Sequence, residues 1–425
     1  MPLPRTSSCC FSAGGGGSVP SPPASTTINL TTSTASDSST SSDVPSLSSN
    51  DDAVSIITLP SLPSLLLLPP ISSLPISSHL CLSSLPPSSS SLSLALSPSH
   101  LFTASDLSIS IYDLSTLDLL ASFPVSSRSG SAKSLSFSSD GRYLLSSHQD
   151  GRIRLWPASP NPRRLSQIAT LPTLSDRLLR LPLPKNYISI RRHCKRLWIE
   201  HADAVSSLAA HQDLIYSASW DKTLKIWRSS DLRCLESIPA HEDAINAIAV
   251  AGDGTVYTGS ADRRIRVWTK TPGEKRHSLM ATLEKHRSAV NALALSPDGA
   301  VLYSGACDRS ILVWEREDSA NYMVVSGALR GHQRAVMSLV CVGDVLFSGS
   351  SDRTVRIWRR GGDGKYACLG VMEGHTRGVR SVVAVPVPAA VEEGEEEFRV
   401  CSGSLDGEVR IWKVRISSFP KSYDS

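Results

Sequence analysis

The chain lacks the features that would announce a membrane protein, a disulfide framework or a nucleic-acid binder. Its longest leucine run, Leu65–Leu68, is stopped at once by Pro69 and Pro70, far short of the ~20 apolar residues of a membrane helix. No membrane partner is expected. The nine cysteines are odd in number and never form a Cys-x-x-Cys pair. With Cys307, Cys341 and Cys401 inside apolar runs, buried reduced thiols of a cytosolic and nuclear protein are expected. Charge of one sign is also missing: 43 Lys plus Arg stand against 39 Asp plus Glu. No direct nucleic-acid partner is expected from so balanced a chain. A phosphate loop, a metal-ligand spacing and a lone nucleophile motif are absent as well. The reading is therefore a non-enzyme with no catalytic residue, no cofactor and no metal.

What is present begins with a tail. Residues 1–74 are mostly Ser, Pro, Thr and Gly with scattered leucines, too little clustered apolar surface to offset ordering entropy, so this span is read as disordered. The first 36 residues contain Arg5 and no acid, a composition with some likeness to an organelle transit peptide but with too few arginines for that reading to lead. Pro2 excludes N-myristoylation, while Cys9 and Cys10 are open to lipidation. Removing residues 1–60 is expected to leave the folded domain, residues 75–418, intact. Residues 419–425 form a short C-terminal tail.

After the tail a unit repeats. An Asp is followed six residues later by Trp in six places: Asp150 and Trp156, Asp221 and Trp227, Asp262 and Trp268, Asp308 and Trp314, Asp352 and Trp358, Asp406 and Trp412. Asp106 and Tyr112 form a degenerate seventh copy. Successive aromatic positions lie 44, 71, 41, 46, 44 and 54 residues apart. Four of these intervals fit a period of about 40–45 residues, and the other two carry insertions, near 157–195 and near 386–397. Before the aromatic the residues alternate apolar, polar, apolar, as in Ile153-Arg154-Leu155 and Val355-Arg356-Ile357, with Ile311-Leu312-Val313 as the exception. That alternation marks a strand. Its basic residues are read as stems packed between sheets with their charges in water. Upstream lies a second strand ending in a small residue, and further upstream a His in five units. These histidines stand 20, 21, 22, 20 and 31 residues before their Asp.

Five units thus hold a full set. The sets are His201, Ser217, Asp221 and Trp227; His241, Thr258, Asp262 and Trp268; and His286, Ser304, Asp308 and Trp314. Two more follow: His332, Ser348, Asp352 and Trp358, then His375, Ser402, Asp406 and Trp412. A hydrolytic triad needs one exposed nucleophile beside an oxyanion site. Five near-identical sets argue for a structural task performed in every unit. The unit with Ser146, Asp150 and Trp156, and the one with Asp106 and Tyr112, have no His at that distance and are expected to be less tightly held. The spacing, turn residues and strand pattern together resemble the WD40 repeat family, over about 350 residues. The Trp-Asp dipeptide itself is degenerate, as in Trp227-Arg228 and Trp412-Lys413.

The resemblance implies an all-β, seven-bladed WD40 β-propeller behind a disordered N-terminal tail. It implies that each set forms a chain of hydrogen bonds from indole to hydroxyl to imidazole to carboxylate, tying outer strands to inner ones. Residues near 79–85 resemble the outer strand at 233–238 and are expected to supply the fourth strand of the last blade. The segment Asp176–Ala209 is similar to plant WD40 proteins of the Jingubang type, which implies a plant regulatory adaptor of nucleus and cytoplasm. Arg191–Arg196 is an import signal, a site for an acidic partner or a solvated outer strand, and Glu392–Glu397 is read as a flexible loop.

Function follows as a monomeric scaffold that binds protein partners on the rims of the ring. The rim implied by the resemblance carries the residue before each repeat Asp: Gln149, Trp220, Ala261, Cys307, Ser351 and Leu405, with Ser105 in the degenerate unit. It also carries residues that follow a His: Glu242, Arg287, Gln333 and Thr376. Trp220 is the one large aromatic among them and the expected anchor. The alternative is a substrate receptor of a cullin-type ubiquitin ligase. A Trp-Asp-x-Arg signature would mark it, and Trp412-Lys413-Val414-Arg415 lacks the Asp.

Overall fold

The computed structural model describes residues 62–66, 77–85, 93–106, 108–126, 129–158, 166–191, 194–271, 273–274, 276–316, 323–362, 364–387 and 395–417. Most of the N-terminal tail and the 419–425 segment lie outside them. The described residues build seven four-stranded antiparallel sheets, each a blade numbered here in chain order. Blade 3 is typical: Val205–His211, Leu214–Ser219, Thr223–Arg228 and Cys234–Pro239 follow one another across the sheet. The first strands of the blades are Ser93–Leu96, Ala132–Phe137, Val205–His211, Ile245–Val250, Val290–Leu295, Val336–Val342 and Val379–Pro386. Each touches the next and the last touches the first, so the strands ring an axis.

Sandwiching each sheet between two others explains a pattern that alternation alone would miss. The second strands, such as Val301–Ala306 and Val345–Ser350, are buried at every position, because both faces meet a neighbouring blade. Gly305 shows how close the approach is, since a Cβ there would stand 2.5 Å from Val336 Cγ1 of the next blade. Serine hydroxyls join first strands across the gaps. Ser207 accepts from the Ile248 amide at 3.2 Å, Ser338 from Val382 at 2.8 Å and Ser381 from Leu94 at 3.3 Å.

Ring closure falls where the outer-strand likeness put it. Ser77–Leu85 pairs antiparallel with Val409–Ser417 and is the fourth strand of blade 7. The acidic run is only partly a loop: Glu395–Glu397 begin the second strand of that blade, Glu395–Ser404. Glu397 is buried there and accepts from Lys413 Nζ at 2.9 Å and Arg415 Nε at 3.1 Å. Two cations on the facing strand explain why an acidic run can enter a sheet. Residues 392–394 lie outside the described residues.

Part of the span read as tail has a place in the fold. Leu65 N donates to Ala328 O at 3.2 Å, Ala328 N to Pro63 O at 3.0 Å, and Tyr366 N to Leu65 O at 3.0 Å. Residues 62–66 thereby bridge the outer strands of blade 5, Met323–Leu329, and blade 6, Tyr366–Met372. Gly327 makes room, since a Cβ there would lie 2.6 Å from Leu65 Cγ. A deletion of residues 1–60 should keep the melting temperature of the full chain. Extending it through residue 66 should cost about 2 kcal/mol from the buried parts of Leu62, Leu65 and Leu66. Equal melting curves for the two deletions would show that the bridge contributes nothing.

The insertion is placed differently from its expected bounds. Blade 2 keeps its own fourth strand, Ala169–Leu171, and the added structure follows it: a helix, Leu174–Arg180, and a hairpin, Tyr187–Arg191 with Cys194–Leu197. Thr173 caps the helix by accepting from the Asp176 amide. Buried Asp176 accepts from the Cys234 amide at 3.2 Å, and Arg180 Nη2 donates to Cys234 O at 3.1 Å. The helix thus satisfies backbone groups at the free edge of blade 3. Arg191–Arg196 spans the hairpin and is not the outer strand of a blade; Arg192 and His193 lie outside the described residues.

Candidate functional site

The rim is built on the buried sets of His, Ser or Thr, Asp and Trp. In blade 5, Trp314 Nε1 donates to Ser304 Oγ at 2.8 Å, and Ser304 Oγ is 2.8 Å from His286 Nε2. His286 Nδ1 is 2.9 Å from Asp308 Oδ2. The carboxylate can only accept, so the imidazole hydrogen sits on Nδ1 facing it, which leaves Nε2 to accept the hydroxyl hydrogen while the hydroxyl accepts from the indole.

Three more blades repeat the chain. In blade 3, Trp227 Nε1 donates to Ser217 Oγ at 2.9 Å, His201 Nε2 lies 2.8 Å from that hydroxyl, and His201 Nδ1 lies 3.0 Å from Asp221 Oδ2. In blade 4, Trp268 Nε1 donates to Thr258 Oγ1 at 3.0 Å, and His241 stands 2.8 Å from both Thr258 Oγ1 and Asp262 Oδ2. In blade 6, Trp358 Nε1 donates to Ser348 Oγ at 2.8 Å, with His332 2.7 Å from that hydroxyl and 2.8 Å from Asp352 Oδ2.

One expectation about these sets is corrected. They were expected to tie outer strands to inner ones, but Trp227, Trp268, Trp314 and Trp358 all stand on third strands. The chain joins the second and third strands to the loop before the first and does not reach the outermost strand. Nor do these indoles face a partner. Trp268 is buried in one apolar cluster with Tyr216 and Val256, and Trp358 in another with Tyr303 and Tyr366. Trp268 and Trp358 are therefore packing residues whose N–H needs an internal acceptor, which the hydroxyl supplies.

Each Asp does more than receive a proton. Asp308 Oδ2 also accepts from the Arg287 amide at 3.0 Å, and Oδ1 from the Ser310 amide at 3.0 Å. The latter bond closes a tight turn in which Arg309 takes a positive φ of 69°, a region that an ordinary side chain tolerates only when its surroundings enforce it. Burial by itself would raise these carboxyls. The hydrogen bonds from imidazole and backbone outweigh it, bringing Asp262 to about 2 and holding Asp221, Asp308 and Asp352 well below the usual range.

Two blades depart from the expected sets. In blade 7, His375 Nε2 meets Ser402 Oγ at 2.7 Å and Trp412 donates to that hydroxyl, but Asp406 does not take His375 Nδ1. Thr376 Oγ1 occupies Asp406 Oδ2, and the nearest carboxylate oxygen to Nδ1 is Glu408 Oε2 at 3.5 Å. Blade 2 was expected to lack an imidazole. His148, on the second strand itself, fills the position: its Nε2 is 2.8 Å from Ser146 Oγ, to which Trp156 donates at 2.7 Å. Burial and the nearby Arg154 push this imidazole down to about 4, so it is neutral at pH 7. Asp150 turns instead to Arg154, 2.6 Å away. The signal was in the sequence as a His two residues after the Ser, on the same face of the strand.

The basic residues of the third strands do not all reach water. Lys225 is fully buried, with Nζ 2.5 Å from both Trp198 O and Ser237 Oγ. Burial lowers its pKa. The inserted segment, which supplies Trp198, covers it.

The pinned loops carry the rim. The residue before each Asp donates its amide to the residue that precedes a first strand: Gln149 to Ser131, Trp220 to Ala204, Ala261 to Ala244, Cys307 to Ala289, Ser351 to Ala335 and Leu405 to Gly378. Ser105 of blade 1 is buried and donates its amide to Ser108 O at 2.8 Å. Glu242, Arg287 and Gln333 donate their amides to the Asp of their own blade. Their side chains, like that of Thr376, are exposed. Cys307 and Leu405 are half-buried, and Cys307 Sγ receives Asn291 Nδ2 at 3.2 Å. Trp220 is 37 % exposed, and Lys133 Nζ of blade 2 lies 5.5 Å from its ring centroid. The indole therefore meets a residue of the preceding blade.

A second surface had no signal in the repeat pattern. Leu174, Leu178, Leu179, Leu181 and Leu183 of the inserted segment are all exposed, because the helix meets the blades mainly through Asp176 and Arg180. Among the described residues no group of His, Cys, Asp and Glu is arranged to hold a metal ion, and no helix is long and apolar enough to cross a membrane.

The WD40 family, described as WD domain, G-beta repeat, matches at residues 119–157, 192–228, 232–269, 277–315, 323–359 and 366–413. Striatin-4 of Homo sapiens is 26% identical over 246 residues, covering 57% of this chain and 29% of that protein. Pre-mRNA-processing factor 19 of Bos taurus is 28% identical over 143 residues, 30% of this chain and 26% of that protein. The ribosome biogenesis protein WDR12 homolog of Chlamydomonas reinhardtii is 31% identical over 123 residues, 27% of each. The chain spans less than a third of the length of these curated relatives. With a closed ring of seven blades and matched repeats over more than half its length, the chain belongs to the WD40 repeat family.

Proposed function

We propose that this protein is a non-catalytic scaffold that holds partner proteins on the rim carrying Trp220. The observation behind this reading is an indole left 37 % exposed on a turn whose backbone is fixed on both sides. A large apolar group held rigidly at a surface loses little entropy on binding, which is why Trp dominates many interfaces. The recurrent hydroxyls do not suit catalysis: Ser217, Thr258, Ser304, Ser348 and Ser402 are each 0 % exposed. The leucine face of the inserted helix supports the same reading as a second docking patch. Residence in cytoplasm and nucleus fits the free thiols of Cys81, Cys234, Cys341, Cys368 and Cys401. A regulatory adaptor of the plant Jingubang type is the finer reading. It rests on the likeness of Asp176–Ala209, the segment that builds the extra helix and hairpin.

Trp220→Ala should weaken capture of the native partner by about 2 kcal/mol, roughly thirtyfold, with little change in melting temperature. The check is a quantitative pull-down from native extract beside a melting curve. Normal capture by a destabilised variant would make Trp220 a packing residue and remove the rim reading.

A further inference from the structure

Six of the seven first strands carry a bulge near their start, at the places where the register shifts against the second strand. The inserted residues are Lys133, Ser206, Asn246, Asn291, Met337 and Arg380. Bulges re-aim a side chain out of the pleat, and three of these show where they aim. Ser206 Oγ donates to Ile245 O at 2.5 Å, Asn246 Nδ2 to Val290 O at 2.9 Å, and Asn291 Nδ2 to Val336 O at 3.0 Å. Each reaches the start of the next blade's first strand, so the bulge residues form a belt around the mouth of the axial opening.

The belt stops on the other side. Met337 has no donor, and blade 1 has no bulge among the described residues. Arg380 of blade 7 and Lys133 of blade 2 carry charge, yet among the described residues neither makes an ion pair or a hydrogen bond. Lys133 has only the Trp220 ring. Asp106, in the turn of blade 1 that lies between them in the ring, is the carboxylate whose field reaches both. Burial works against both charges, and Arg380 also bears on Lys133. Among the described residues, two partly dehydrated cations with one carboxylate between them leave one positive charge over, an arrangement that costs stability unless a counter-charge arrives.

We infer that the mouth of the axial opening between blades 7, 1 and 2 receives a carboxylate, the side chain of a Glu or Asp on an extended segment of a partner protein. The net single positive charge matches a monoanion rather than a phosphate dianion. Trp220 stands beside it as the apolar wall for the neighbouring part of that segment. The inference rests on the reading of the Trp220 rim as the docking face.

The test uses the full chain and three fluorescein-labelled peptides: hexaglutamate, hexaglutamine and hexaphosphoserine. Anisotropy should show hexaglutamate bound in preference to hexaglutamine, and no gain for hexaphosphoserine despite its greater charge. Lys133→Met with Arg380→Met should weaken hexaglutamate binding by roughly thirtyfold. The melting temperature should stay or rise, because unmatched charges have been removed. Arg142→Met, an exposed cation in a turn of the same blade, should leave binding unchanged. Equal binding of the Glu and Gln peptides, preference for phosphoserine, no binding of hexaglutamate, or indifference to the double variant would each overturn the inference. If Trp220→Ala loses the native partner while the double variant keeps it, the carboxylate site fails and the rim reading stands.

Discussion

Deleting Ser77–Leu85 should make the ring self-associate. This strand pairs with Val409–Ser417 from Ser77 opposite Ile416 to Leu85 opposite Val409, with one register shift between Cys81 and Ser83. Without it the third strand of blade 7 becomes a bare edge of unpaired amides and carbonyls, a template for pairing with another chain. One edge opens rather than two, because blades 1 and 7 also meet through their first strands. Leu85 adds an apolar term, since it packs with Leu94, Leu101 and Ile411 across the junction. Loss of the ladder and of that burial should cost about 5 kcal/mol or more. Size-exclusion chromatography should show oligomers, and thermal unfolding should begin earlier. A soluble monomer with the melting curve of the full chain would mean that contact between the first strands closes the ring unaided.

The second large effect is expected at Asp308. Its carboxylate accepts from the His286 ring, the Arg287 amide, the Ser310 amide and the Ser310 hydroxyl. Asp308→Ala leaves a buried imidazole N–H without an acceptor and releases the turn that holds Arg309 at positive φ. A loss of about 3 kcal/mol is expected. Asp406→Ala should cost only about 1 kcal/mol, because Asp406 holds Thr376 and the Glu408 amide but not His375. Urea unfolding of both variants, followed by tryptophan fluorescence, measures the difference. Equal losses would mean that the imidazole link adds nothing.

The pH dependence has a definite sign. Burial alone would raise the Asp308 carboxyl, but bonds to His286 and Ser310 carry it below its usual 3.8. A carboxyl depressed in the folded state contributes stability that is complete above the unfolded value and is lost as pH falls toward the folded one. The gap between wild type and Asp308→Ala should therefore be steady from about pH 5 to 8 and narrow below about pH 4.

Much of this was legible in the chain because it is periodic and local. The Asp-to-Trp spacing, the apolar alternation before each Trp and the upstream His identified blades 3 to 6 with their hydrogen-bonded sets. The likeness between residues near 79–85 and an outer strand located the closure. These features repeat because every blade solves the same problem: a sheet packed on both faces whose turns must be pinned by a buried polar chain.

Other features depended on residues far apart in sequence meeting in space. His148 replaces the missing loop histidine because a ring on the second strand reaches the same hydroxyl from another backbone position. In blade 7 the expected set is broken, because Thr376 takes the oxygen that the imidazole would need. Lys225 is dry only because the inserted segment lays Trp198 over it, and Leu65 is placed only because Gly327 leaves it room. Lys133 and Trp220 meet only because blades 2 and 3 are neighbours in the ring. By itself the sequence determined the number of blades and the chemistry repeated in blades 3 to 6, since both are written at short range. Which groups are buried and which charges meet was decided by the tertiary structure. Bringing distant blades to one axis sets the solvation of each group and the company it keeps.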